Sequence, residues 1–90
     1  MKKLIFQRKF RRHRIQRIQR IDVTWNTKAA CYVARVLFAP EKASDCAENE
    51  IIGMRLYAET ERAMEKALQD ACTLYHCETD MEVVIPNQGK

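Results

Sequence analysis

The sequence predicts a small α/β or α+β domain: a two- to three-stranded sheet with two helices and an extended basic N-terminal arm. Three observations carry this expectation. Residues 21–25 alternate β-branched or aromatic residues (Ile21, Val23, Trp25) with Asp22 and Thr24, the mark of a strand with one face buried. Residues 28–38 (KAACYVARVLF) place Ala30, Val33, Ala34, Leu37 and Phe38 at helical spacing. Met64, Leu68, Ala71, Cys72 and Tyr75 recur at threes and fours, which predicts a second, longer helix.

Taken in order, the elements are arm, strand, helix, long helix and strand. Residues 1–17 form the arm, extended or as a short basic helix. Residues 14–22 (RIQRIQRID) run as a triplet repeat into a strand expected at about 18–25. Asn26 or Thr27 can cap the helix expected over 28–38, since a side-chain oxygen there satisfies an orphan N–H. Pro40 ends that helix, and 39–45 (APEKASD) is a loop. Asp45 and Glu48 form a D-x-x-E capping signature, with Ser44 a competing cap. Beyond them the spacing favours helix from about residue 54, starting with Met54 and Tyr57. Periodicity also admits a second solution. It breaks at Gly53, makes Ile52, Met54 and Leu56 a strand, and starts a helix at Thr60 that runs through His76. Arg62 and Lys66 are a like-charge pair four apart, so packing rather than ion pairing must hold the long helix. Residues 81–85 (MEVVI) form a last strand. The small α/β domain spans 18–86, and 87–90 is a tail.

Ninety residues make one domain with a small core. An apolar content of 47% is ordinary for a globular protein and argues against overall disorder. No apolar run nears the ~20 residues that span a bilayer, so no transmembrane segment is expected. Leu4-Ile5-Phe6 is too short for a secretory signal. The Arg-rich, acid-free N-terminus shares features with mitochondrial targeting segments but has no Ser.

Candidate chemistry is sparse. The four cysteines, Cys31, Cys46, Cys72 and Cys77, contain no C-x-x-C pair, which excludes a thioredoxin-type redox site. Cys72 and His76 are four apart and would share a helix face. A third ligand from the other cysteines would be needed for zinc, yet only one segment has ligand-like spacing. Core packing of small apolar thiols is the expected role, and no metal or cofactor is assigned. A Cys72–His76 nucleophile has no Gly-rich or strained turn to supply an oxyanion site. Neither a phosphate-binding loop nor a dinucleotide fingerprint occurs, so no enzyme activity and no small-molecule substrate are expected.

Charge is the informative property. The first twenty residues hold nine Lys or Arg and no acid, whereas the remaining seventy hold seven basic and twelve acidic residues. The net +4 conceals this polarity. Repulsion among crowded cations is relieved when phosphates replace their counterions. The candidate RNA-binding residues are therefore Lys2, Lys3, Arg8, Lys9, Arg11, Arg12, Arg14, Arg17 and Arg20. Phe6, Phe10 and His13 interleave with them and Trp25 follows, so stacking on unpaired bases is a further expectation. Arginines in such an arm position a nucleic acid rather than read its sequence.

Residues 21–40 (IDVTWNTKAACYVARVLFAP) resemble the opening strand and first helix of a small group of mitochondrial large-subunit ribosomal proteins. The resemblance rests on Trp25-Asn26 at the strand end, then Lys28, Ala30, Ala34, Arg35 and Ala39; the VVIP at 83–86 is also similar to some plant-type members. That group has a thioredoxin-like fold without redox cysteines, and usually a strand pair after the first helix, for which residues 51–57 are the candidate here. The resemblance implies a structural constituent of a ribosome in the mitochondrial matrix, bound to ribosomal RNA and neighbouring ribosomal proteins. The rival readings are a small inhibitor or adaptor whose acidic helix engages a nucleic-acid enzyme, a zinc module, and a subunit of a membrane-associated complex.

Overall fold

The structure, a computed structural model, describes residues 1–8, 17–39 and 51–88. Among these residues there are six strands and one helix. Strand β1 spans Lys2–Phe6, β2 Arg17–Asn26, β3 Cys31–Phe38, β4 Ile51–Ala58, β5 His76–Cys77 and β6 Met81–Ile85; helix α1 spans Glu61–Leu74. Four strands form one sheet in the order β4-β3-β2-β5, and β1 and β6 form a separate antiparallel ribbon. The expected two-helix domain with a two- to three-stranded sheet is thus replaced by a mostly β architecture.

The main correction concerns residues 28–38. Thr27–Ala30 make a turn and Cys31–Phe38 a strand, so β2 and β3 form a hairpin in which Trp25 faces Tyr32 and Val23 faces Ala34. The same segment also carries a second apolar pattern, with a period of two, that shares only Ala34 and Phe38 with the helical set. Tyr32, Ala34, Val36 and Phe38 are all buried, while Val33 and Arg35 point the other way. Two β-branched and two aromatic residues in eight suit a pleated strand, and β3 finds a partner on each side. The Asn26 side chain does cap, but it caps a turn: its Oδ1 accepts from the Ala29 N–H at 3.1 Å. Ala30 closes the turn with φ 53°, the left-handed region.

The second correction concerns residues 54–60. Antiparallel pairing to β3 draws residues 51–58 into β4, so Met54 and Tyr57 are not helical neighbours but lie on opposite sheet faces. Of the second solution, the strand through Ile52, Met54 and Leu56 and the cap at Thr60 are realised, but Gly53 lies inside the strand and does not break it. Thr60 Oγ1 accepts from Ala63 N at 3.1 Å, and Glu61 in the first turn favours the helix dipole. The helix ends at Leu74, before His76; Tyr75 is extended and its N–H donates to the Ala71 carbonyl at 2.8 Å. His76 and Cys77 then pair parallel to Arg17 and Ile18.

Two sequence readings agree closely. The strand expected at 18–25 is β2, and 81–85 is β6 with Met81, Val83 and Ile85 inward. The signals at Pro40, Ser44, Asp45 and Glu48 lie outside the described residues.

The core lies between the inner face of the four-stranded sheet and a second layer made of α1 and the β1–β6 ribbon. Met64 and Leu68 of α1 and Val83 and Ile85 of β6 meet Ile18, Tyr32, Ala34 and Val36 of the sheet. Each large apolar side chain buried here contributes about 1.5–3 kcal/mol. Two aromatic pairs add direction. Trp25 and Tyr32 meet edge to face with centroids 4.9 Å apart, and Phe38 tilts onto Tyr75 at 5.0 Å. The pairing of β3 and β4 shifts register between Val36 and Leu37, leaving Gly53 as the extra residue of a bulge. The Phe38 ring occupies the space that a Cβ on Gly53 would need.

Three stability predictions follow from these contacts. Gly53→Ala forces the buried Phe38 ring to move and should lower unfolding free energy by about 1–3 kcal/mol in urea titration. Ala30→Gly removes a left-handed penalty of about 1–2 kcal/mol against a glycine entropy cost of about 0.5–1 kcal/mol, so a net gain is expected in the same assay. Burial, with a smaller contribution from Glu61, raises the Tyr32 phenol above its ordinary pKa of 10.0. Its contribution is complete below that value and is lost as pH rises toward the folded-state value. Urea midpoints above about pH 10 should fall less for Tyr32→Phe than for the parent chain.

Candidate nucleic-acid interface

Strand β1 changes the character of the basic arm. Residues 2–6 pair along the whole length of β6, from Lys2 opposite Ile85 to Phe6 opposite Met81. Leu4 and Phe6 pack against the core, and Lys3 and Ile5 face outward. The Lys2 ammonium lies 3.0 Å from Glu65 on α1, and that of Lys3 lies 3.3 Å from Glu82 on β6. The Met1 amino group reaches Asn87 Oδ1. These pairs are partly exposed and individually weak, but they hold the two lysines against carboxylates of the body. The next anchor is backbone: Arg8 N–H donates to Asp80 Oδ1 at 2.6 Å.

The remaining candidates divide by position. The connection from β1 to β2, residues 7–16, carries Arg8, Lys9, Arg11, Arg12 and Arg14 without one acid. Of these, Lys9, Arg11, Arg12 and Arg14 lie outside the described residues, as do Phe10 and His13. Arg17 opens β2, half-buried, and sits opposite His76 in the parallel pair. Arg20 is exposed and its Nε donates to Asp22 Oδ2 at 3.2 Å. Two aromatics expected to stack on bases are engaged elsewhere, since Phe6 and Trp25 both pack against the core.

A second cationic surface lies on the side of the sheet facing away from α1. Arg35 on β3 stands directly opposite Arg55 on β4 and opposite Asp22 on β2. In the next row outward from Arg35, Val33 stands between Tyr57 and Thr24. Arg35 and Arg55 are exposed and Tyr57 is 64% exposed. Among the described residues, no carboxylate lies within ion-pair distance of either arginine, and Asp22 is bonded to Arg20. Reading 28–38 as a helix hid this surface, because only strand parity puts Arg35 beside Arg55. The usable signal was Arg55-Leu56-Tyr57, two polar-faced residues flanking an inward leucine.

The cysteine and histidine candidates are arranged differently from the expected helix face. With α1 ending at Leu74, His76 belongs to β5 and is buried. Cys72 and Cys77 approach to 3.9 Å between sulfurs, a thiol contact rather than a bond. They border an open cleft of about 610 Å³ between β1 and α1, lined also by Ile5, Phe6 and Gln69. Cys31 is at the start of β3, and Cys46 is outside the described residues. Among the described residues, no three His, Cys, Asp or Glu side chains gather as metal ligands. No helix among them is long and apolar enough to cross a membrane.

Compared with protein-family models, curated proteins and solved structures, the chain matches none.

Proposed function

We propose that this protein is a non-enzymatic, RNA-binding subunit of a ribonucleoprotein particle. The carrying observation is the concentration of nine cations and no acid in the first twenty residues. The fold sharpens how they would be used. Lys2 and Lys3 sit in β1 against Glu65 and Glu82, which leaves the acid-free connection 7–16 as the main cationic element. Anchored by β1 before it and β2 after it, such a connection presents arginines to phosphates at lower entropic cost than a free tail. Arg8, Arg11, Arg12 and Arg14 are the proposed phosphate contacts, with Lys9, Arg17 and Arg20 flanking them. Ribosomal RNA, with ribosomal proteins as neighbours, is the proposed setting, and the large subunit of a mitochondrial ribosome is the first particle to test. The thioredoxin-like likeness does not support that choice, because its first helix corresponds to strand β3 here.

Affinity for RNA should fall steeply with salt. Replacing both Arg11 and Arg12 by Gln should reduce the slope of log K against log salt by about 1.4, at about 0.7 per contact on single strands. A flat salt dependence in the parent chain contradicts the proposal. In gently lysed source cells, the tagged protein should co-sediment with a large particle and be released by RNase. A slow peak indifferent to RNase would reject it.

A further inference from the structure

We infer that the open face of the four-stranded sheet is a platform for an unpaired stretch of RNA, with a base stacked on Tyr57 and phosphates held by Arg35 and Arg55. This rests on the reading that the protein binds RNA, and it names a second site and the form of RNA bound there.

Three observations support it. The first is electrostatic. Like charges directly opposite one another on an antiparallel pair destabilise a sheet, and Arg35 and Arg55 are such a pair. The nearest acid in the same row, Asp22, already receives Arg20. Among the described residues no other acid compensates this pair, so a phosphate brought by a ligand would relieve its repulsion. Guanidinium groups form paired hydrogen bonds with phosphate oxygens and suit that role.

The second is the aromatic. Tyr57 is two residues beyond Arg55 on β4, so both side chains leave the same face, about 7 Å apart along the strand. Its ring is mostly exposed, whereas Tyr32 and Trp25 pack against each other on the inner side. An exposed ring beside two cations is the arrangement on which unpaired bases stack while phosphates are neutralised.

The third is the floor around it. Val33, half-buried, and Thr24 continue the Tyr57 row across β3 and β2 with short side chains. Neither is bulky or charged, so a second base could lie beside the ring. Beyond Arg35 the face closes, since Leu37 is only 4% exposed. A duplex offers no free base to Tyr57, so the platform favours single strands. An apolar protein partner would have to bury two arginines that pair with no carboxylate among the described residues.

The test uses the full chain and a fluorescein-labelled oligouridylate of about 10 nucleotides, alone and annealed to its complement. Tyr57→Ala should weaken single-strand binding about 5- to 100-fold while leaving the salt slope unchanged. Tyr57→Phe should restore binding. Arg35→Gln with Arg55→Gln should lower the salt slope by about 1.4. The double arginine variant should melt at or above the parent temperature because the pair is repulsive. Tyr57→Ala should melt slightly below it because it loses a cross-strand partner, and Tyr57→Phe with the parent; binding is compared at a temperature where all are folded. If Tyr57→Ala and the double arginine variant bind the single strand like the parent while Arg11→Gln with Arg12→Gln does not, the platform is rejected and RNA binding by residues 7–16 stands. If the parent chain itself binds no RNA at low salt, both readings are rejected.

Discussion

The structure depends on the placement of β3 at the middle of the sheet with its even-numbered residues inward. Tyr32, Ala34, Val36 and Phe38 supply the inner floor against which α1 and β6 pack. The same parity sends Val33 and Arg35 outward. A slip of one residue would bury Arg35 and expose Tyr32 and Val36, so the core and the outer face are set by one register. Pairing on both sides fixes that register, with β2 through Trp25–Tyr32 and with β4 through Arg35–Arg55. The bulge at Gly53, with the Phe38 ring lying over it, interrupts the β3–β4 pairing near the start of β4.

How much of this is legible in the sequence depends on whether an element's partner is local. β2 and β6 declare themselves by alternation and by Val, Ile and Trp content, and both lie within a residue or so of where alternation puts them. The Thr60 cap and the buried stripe Met64, Leu68 and Ala71 are equally readable. Residues 28–38 are different. Ala29, Ala30, Ala34, Arg35 and Leu37 are good helix formers, and the segment carries an apolar pattern at each period. What decides is the hydrogen-bonding of β3 to β2 and β4, a tertiary term that outweighs local propensity. The same term pulls residues 51–58 away from the helix. The β1–β6 ribbon joins residues about eighty apart and leaves only a weak local mark in Leu4, Ile5 and Phe6.

The candidate site was legible in the same uneven way. Composition alone exposes the cations of the first twenty residues. It does not show that Lys2 and Lys3 lie against Glu65 and Glu82, or that Phe6 and Trp25 are committed to the core. Nor does it show Arg35, Arg55 and Tyr57 as one surface, because their proximity exists only once both segments are strands. The acidic body is therefore not a uniform surface: carboxylates near the ribbon engage β1, while on the opposite sheet face the described residues carry Arg20, Arg35 and Arg55 against Asp22 alone. On the proposed function, this face and the connection 7–16 are the two regions that would meet phosphate, and the net charge of only +4 conceals both.

The measurement that bears most directly on the account is nuclear Overhauser contact between backbone protons across β3 and β4 in the intact protein. The account predicts cross-strand contacts between Arg35 and Arg55, and between Val33 and Tyr57, together with slow amide exchange through residues 32–38. Contacts between residues three apart within 28–38, the pattern of a helix, would contradict it and dissolve the outer face with it.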